Sequence, residues 1–247
     1  VSALAHYLEE EGVPTVAISL IRLHSEKIGP PRALWVPFEL GRPLGAPNDE
    51  QFQIRVIARA LRLLECAPGP ALLDDFPDDD PTAVDLPGWR LPFAFTAESI
   101  DIGEREVLEH ALRQEVLAVA PHHERFVAAN RRTTIGLSGL SIDDCARLLA
   151  DCLAGSSPAG ADPSTIPVQA LRWAVDDLKA YYFEAMSGDG AIPSSRQMQS
   201  WFWDQTLAAR AIIALRRQLL ASDDKRRQAI GRMNLVPGAQ VQRLGLQ

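Results

Sequence analysis

Apolar residues recur along this chain in blocks whose spacing changes from one end to the other. At the start, SALAHYLEEEG sets Leu4 and Leu8 on one helical face and offers Gly12 as a C-cap. VPTVAISLI, residues 13–21, is rich in β-branched positions and predicts a strand. HSEKIGPP predicts a turn-rich connection, and RALWVPF a second extended segment. Asn48 or Asp49 then caps a helix whose apolar stripe is Val56, Ala60, Leu63 and Leu64. Helix, strand, loop, strand, helix is the order of an α/β layer, so the expectation is an open, mostly parallel sheet flanked by helices.

Residues 67–92 break the pattern with repeated prolines and aspartates, which excludes a regular helix or a central strand and predicts an irregular acidic crossing over the surface, a lid or a boundary. Residues 104–119 return to helical spacing through Val107, Leu108, Ala111, Leu112 and Val116. NRRTTIGLSG predicts a short strand and a glycine-serine turn, and Ser141 with Asp144 forms a variant of the capping box. GSSPAGADPSTIP, within residues 155–167, is the sharpest change of composition and predicts a linker. Two long apolar-striped helices follow, joined through GDGAIPS and capped at Ser194 or Ser195, which predicts a C-terminal helical hairpin. The last residues, LVPGAQVQRLGLQ, predict an extended tail. The expected organisation is an α/β domain over 1–154, a linker over 155–167, and a helical region over 168–247 that packs on that domain or on a partner.

The 247 residues are 47% apolar and 23% charged, ordinary for a globular protein, with a formal net charge of −7. That charge disfavours broad binding to nucleic acid or anionic membrane and still permits a local positive pocket. No run of eighteen apolar residues occurs, so no membrane-spanning helix is expected. The first residues show no signal peptide, and the lack of an initiating Met predicts a trimmed or incomplete N-terminus. Cys66, Cys145 and Cys152 make no disulfide framework and predict a reducing, cytoplasmic setting.

Candidate chemistry is sparse. Cys145 and Cys152 are seven positions apart on one predicted helix, roughly 10 Å, too far to pair. With Leu148 and Leu149 beside them they read as buried packing residues. Cys66 follows a helix end, where the dipole does not activate a thiol. His122 and His123 follow Pro121 at a predicted junction and are candidates for acid/base work, as is His24 after the first strand. His6 reads as structural. Arg32 and Arg42 bracket the Pro/Gly loop, and Arg131 and Arg132 precede TTIGLSG. Guanidinium groups suit a carboxylate or phosphate. Thr133, Thr134, Ser138 and the amides near Gly136 and Gly139 complete a candidate anion cradle. The competing reading pairs these arginines with surface aspartates. Asp74, Asp75, Asp78, Asp79 and Asp80 lack calcium-loop spacing and read as a solvated acidic face, and no metal or cofactor is expected. SWFWDQT, with Trp201 and Trp203, reads as a packing core or a partner-facing surface.

One resemblance goes further. EEEGVPTVAISL, running to PRALWVPFELGRPLGAPNDEQFQIRVIARALRLLE, resembles the selenoprotein B component family of the glycine, sarcosine and betaine reductases, to which a component of D-proline reductase is related. In that family a helix ending in Ala-Gly-Ile-Pro leads into a strand, and Pro-x-Pro-Leu-Gly-x-Pro opens a later helix. Gly12, Val13 and Pro14 match the first motif, and Pro43, Leu44, Gly45 and Pro47 the second. The likeness covers about the first quarter of the chain, roughly residues 1–65. It implies a subunit for reductive cleavage of a carbon–nitrogen bond beside a carboxylate. The family's reactive selenocysteine or cysteine would precede Val1, and none of the three cysteines matches it. On this reading Arg32 and Arg42 steady the carboxylate of a small anionic substrate, and His24 or His122 moves a proton. Two further readings stay open: a non-catalytic binding or assembly subunit, or a hydrolase or lyase using His122, His123 and the arginines. The apolar helical surface also predicts a homo-oligomer formed through the C-terminal helices.

Overall fold

The structure is a computed structural model describing residues 2–38, 41–66, 71–81, 85–89, 100–155, 168–188, 193–233 and 235–246. The protein has an α/β fold whose chain divides into two compact units, residues 1–84 and 85–247. The division therefore falls in the acidic crossing, not at the expected linker, whose residues 156–167 lie outside the described ones. The physical reason is visible in the second unit, where helices on both sides of residues 155–167 share one core.

The first unit holds three parallel strands, β1 (Ala17–Ser19), β2 (Arg32–Trp35) and β3 (Leu72–Asp75), in the order β1-β2-β3. Around them are α1 (Ser2–Glu10), α2 (Arg22–Ile28) and α3 (Glu50–Arg62). Two local expectations are corrected here. The HSEKIGPP connection is largely the helix α2, closed by Gly29 in the left-handed region. The acidic crossing contains β3, which forms an edge strand where only one side needs pairing partners. Its acids meet bases on the neighbouring helices: Asp74 with Arg59, Asp75 with Arg22, and Asp78 with Arg55.

Leu34 and Val36 face a core completed by Phe52, Val56, Ala60 and Leu63 of α3 and its following turn. Three rings close it, with centroids 5.5 Å (Phe38–Phe52), 5.8 Å (Phe38–Phe76) and 5.9 Å (Phe52–Phe76) apart. This aromatic cluster explains the crowded Pro/Gly loop. Gly45 has φ +78°, and a Cβ there would sit 2.5 Å from Phe52 Cε1. The loop can pass over the rings only without a side chain at that point, and Asp49 then caps α3 by accepting from the Phe52 amide.

The regular elements among the second unit's described residues are all helices: α4 (Arg105–Asn130), α5 (Ile142–Leu153), α6 (Val168–Met186), α7 (Ser195–Gln205), α8 (Leu207–Leu220), α9 (Lys225–Met233) and α10 (Gly238–Arg243). α10 replaces the expected extended tail. α4 does not stop before Pro121 but runs through it, so His122 and His123 sit on a helix and not on a loop. Pro121 removes the amide that would bond the Leu117 carbonyl, and Leu117 lies on the exposed side of the helix, where solvent can reach the freed carbonyl. RRTTIGLSG forms no strand. Trp201, Phe202 and Trp203 are buried in the unit's own core, which settles them as packing residues. The apolar surface of α6 that suggested a homo-oligomer is covered within the unit by α4 and α5.

The long second helix of the expected hairpin is two helices, broken at Thr206. Thr206 takes extended backbone angles, donates its hydroxyl to the Phe202 carbonyl (2.8 Å), and accepts from the Ala209 amide (3.1 Å). Beside it, the fully buried Glu115 of α4 accepts from the Leu207 amide (2.7 Å), the Ala208 amide (2.9 Å) and the Tyr182 hydroxyl (2.7 Å). Burial pushes the Glu115 carboxyl up, while those three donors pull it back.

Two outcomes follow from this packing. Gly45→Ala is expected to destabilise the first unit by about 2 kcal/mol or more. Gly12→Ala, with φ +79° but nothing within 4 Å, is expected to cost roughly 1 kcal/mol. Hydrogen exchange of the strand amides in each variant measures the difference. Glu115→Ala leaves three buried donors without an acceptor, so urea unfolding is expected to report a loss of about 3 kcal/mol or more. Tyr182→Phe removes one donor and is expected to cost about 1 kcal/mol.

Candidate functional site

The cradle expected around residues 133–138 exists, and the protein's own carboxylates fill it. Asp177 of α6, fully buried, accepts from the amides of Gly136 (2.9 Å), Leu137 (3.0 Å) and Ser138 (2.9 Å) and from the Ser138 hydroxyl (2.5 Å). Two turns along the same face of α6, Glu184 accepts from the Thr134 amide (2.6 Å) and from the hydroxyls of Thr133 and Thr134 (both 2.7 Å). The loop is a nest of donors of the kind that binds anions. Its ligands are two side chains seven positions apart on one helix.

The same carboxylates claim a predicted histidine. His123 Nε2 donates to Glu184 (2.9 Å), and its ring centroid lies 4.7 Å from that of Tyr181. His122 is buried and accepts at Nδ1 from Arg125 (2.8 Å). Thr133 donates its hydroxyl to Glu184 and accepts from the Ile135 amide. Arg131 is the left-handed C-cap of α4 with φ +53°, and both it and Arg132 are exposed. The α6 end that carries Glu184 lies close to α4: a Cβ on Gly188 would clash with the His122 carbonyl oxygen.

The thiols are equally committed. Cys145 and Cys152 are buried and free, and burial pushes each up to about 11. Ser138 Oγ lies 3.5 Å from Cys145 Sγ. Cys66 is free and exposed, and its carbonyl accepts from Arg32. Among the described residues no group of three or more His, Cys, Asp or Glu could hold a metal ion.

In the first unit the two expected arginines have different settings. Arg32 opens β2, is buried, and its Nη1 bonds Glu9 of α1 at 2.6 Å, while Arg42 lies exposed beyond the carboxyl end of that strand. His24 is exposed on α2. The carboxyl ends of β1 and β3 carry a polar cluster that sequence reading missed. Ser25, buried, donates to Ser19 (2.7 Å), and Arg22 bonds both Asp75 (3.1 Å) and Glu26. Arg22 and Glu26 are four apart, a helical pair legible only once α2 is recognised. The chain matches no family model, no curated protein and no solved structure.

The electrostatics predict an acid response. Burial pushes Asp177 up, but the Ser138 hydroxyl and the three amides outweigh it and hold Asp177 below its ordinary value. Glu184 is also held low: burial opposes the shift, and Thr134, Thr133 and His123 outweigh it. Depressed carboxylates contribute stability above their unfolded value, near pH 4, and lose it as pH falls through the folded value. Thermal unfolding followed between about pH 2 and pH 7 is expected to drop below pH 4 in the native chain. With Asp177→Asn and Glu184→Gln combined, the drop is expected to be shallower and the neutral-pH stability lower.

Proposed function

We propose that this chain is a binding or assembly subunit of a multisubunit complex. Roughly residues 1–65, within its first unit, resemble in sequence the selenoprotein B component of the glycine, sarcosine and betaine reductases. The observation that carries this reading is the internal use of the chain's polar groups. Asp177 and Glu184 occupy the 133–138 cradle, and Glu184 also holds His123. Arg32 is paired with Glu9, and Cys145 and Cys152 are buried with their acidity suppressed. Groups engaged this way position helices and loops and are not poised to act on a substrate. Three free cysteines, one of them exposed, fit a reducing cytoplasm.

A second reading has its own support. Both motif stretches lie in one unit, one leading into β1 and the other following β2, and these strands pair in parallel. That arrangement fits a reductase subunit acting on a small carboxylate-bearing substrate with a thiol or selenol supplied from outside residues 1–247.

A single assay separates the two. Protein made from the full native gene, supplied with dithiothreitol, is incubated with glycine, sarcosine, betaine or D-proline. No release of ammonia or amine from the first three, and no ring opening of D-proline to 5-aminopentanoate, is expected, and among the three cysteines iodoacetamide is expected to label Cys66 alone until the chain is unfolded. Turnover that alkylation abolishes would overturn the assembly reading and establish redox catalysis in this subunit.

A further inference from the structure

Residues 216–232 hold six Lys or Arg and two Asp, in a chain whose formal net charge is −7. They form the end of α8, the turn, and α9. The two helices pack tightly: a Cβ on Gly231 would lie 3.3 Å from the Arg216 carbonyl oxygen and 3.3 Å from Leu219 Cβ. This contact places Arg232 level with Arg216. Lys225 and Arg226 lie at the turn end of α9, about 10 Å away along the helix axis. Arg217, Lys225, Arg226 and Arg232 are exposed.

These cations are not part of the ion-pair pattern found elsewhere in the molecule. Among the described residues, ion pairs engage Arg22, Arg32, Arg55, Arg59, Arg105 and others, but none includes Arg216, Arg217, Lys225, Arg226 or Arg232. Asp224 is occupied in capping α9, accepting from the Arg226 amide at 2.8 Å. Lys225 and Arg226 occupy the first turn of α9, where the helix dipole disfavours positive charge. Arg216 is only 7% exposed, and its Nε is buried without a hydrogen-bond partner. A buried guanidinium without a counter-charge is costly, and removing it in favour of an apolar side chain ordinarily stabilises. The cluster therefore works against the stability of the isolated chain at three points: mutual repulsion, dipole, and burial.

We propose that the basic face of α8 and α9 binds an acidic segment of a partner protein. This rests on the reading of the chain as a binding subunit and names the chemistry of what it binds. Carboxylates suit the site because arginine pairs with them through two parallel hydrogen bonds. A face about 10 Å long matches roughly three residues of extended peptide. Nucleic-acid binding draws on a longer track of phosphate contacts, and the acidic balance of the rest of the chain opposes a long polyanion.

The test uses the whole chain and a fluorescein-labelled peptide of glutamates, followed by anisotropy at low salt and near 0.15 M salt. Binding that weakens with salt is expected. Lys225→Glu, Arg226→Glu and Arg232→Glu combined are expected to weaken it by roughly tenfold or more. Arg216→Met is expected to weaken binding while leaving the melting temperature unchanged or raised, a combination that a purely structural arginine does not produce. The proposal is overturned if the peptide does not bind, or if the triple variant, shown folded by circular dichroism, binds it like the native chain. Tighter binding of a single-stranded oligonucleotide, or displacement of the peptide by inorganic phosphate at equal charge, overturns it as well. Absence of peptide binding leaves the turnover assay unaffected, so failure of this inference is distinguishable from failure of the functional reading.

Discussion

The helical unit depends on one buried carboxyl group. Glu115 projects from α4 and collects the first two amides of α8 together with the hydroxyl of Tyr182 on α6. Three helices are thereby referenced to one side chain. The first amides of a helix have no partner inside it, and in a core they must find one or cost the unit stability. Glu115 supplies that partner, and Thr206 supplies the next one to Ala209. The break between α7 and α8 is stable because both of its loose ends are satisfied. Filling the space with apolar side chains alone would leave those amides orphaned.

The device recurs on α6. Asp177 and Glu184 collect the amides and hydroxyls of residues 133–138, and Tyr181 donates to the Val116 carbonyl at 2.8 Å. The loop between α4 and α5 has no regular backbone pairing of its own, so acids from a neighbouring helix complete its hydrogen bonds. Asp151 of α5 is bound in turn by Arg105 at 2.6 Å. Acidic side chains that would be candidates for catalysis in an open cleft act here as internal fasteners. The polar interior is best understood as architecture, and the chemistry open to partners lies on exposed faces.

The first unit is built differently. Its cohesion comes from a parallel sheet backed by α3 and three mutually tilted phenylalanine rings, with the Pro/Gly loop held over them at Gly45. Its ion pairs are mostly exposed, such as Arg55 with Asp78, and contribute little individually. Arg32 with Glu9 is the exception: it is shielded and ties β2 to α1. The polar groups at the carboxyl ends of β1 and β3 stand where α/β proteins place ligand contacts. Arg22 there is engaged by Asp75 and Glu26.

Local chemistry made much of this readable in advance. The α/β opening, the caps at Asp49, Ser141 and Ser194, and the burial of Cys145 and Cys152 depend on neighbours within a few positions. The cradle was legible as a set of donors, but its occupants were not, because Asp177 and Glu184 come from some forty to fifty positions away. The pairing of Arg32 with Glu9 required β2 and α1 to be brought together. The helix through Pro121 and the break at Thr206 ran against local expectation in opposite directions. In the first, tertiary packing held a helix together across a missing amide. In the second, Glu115 rewarded an interruption that periodicity gave no reason to expect. By itself the sequence determined the α/β opening, the main helices and their caps at Asp49, Ser141 and Ser194, though not α2, α10 or the break before α8. Only the tertiary structure decided which polar groups meet, since that meeting is set by long-range packing and the need to satisfy every buried donor.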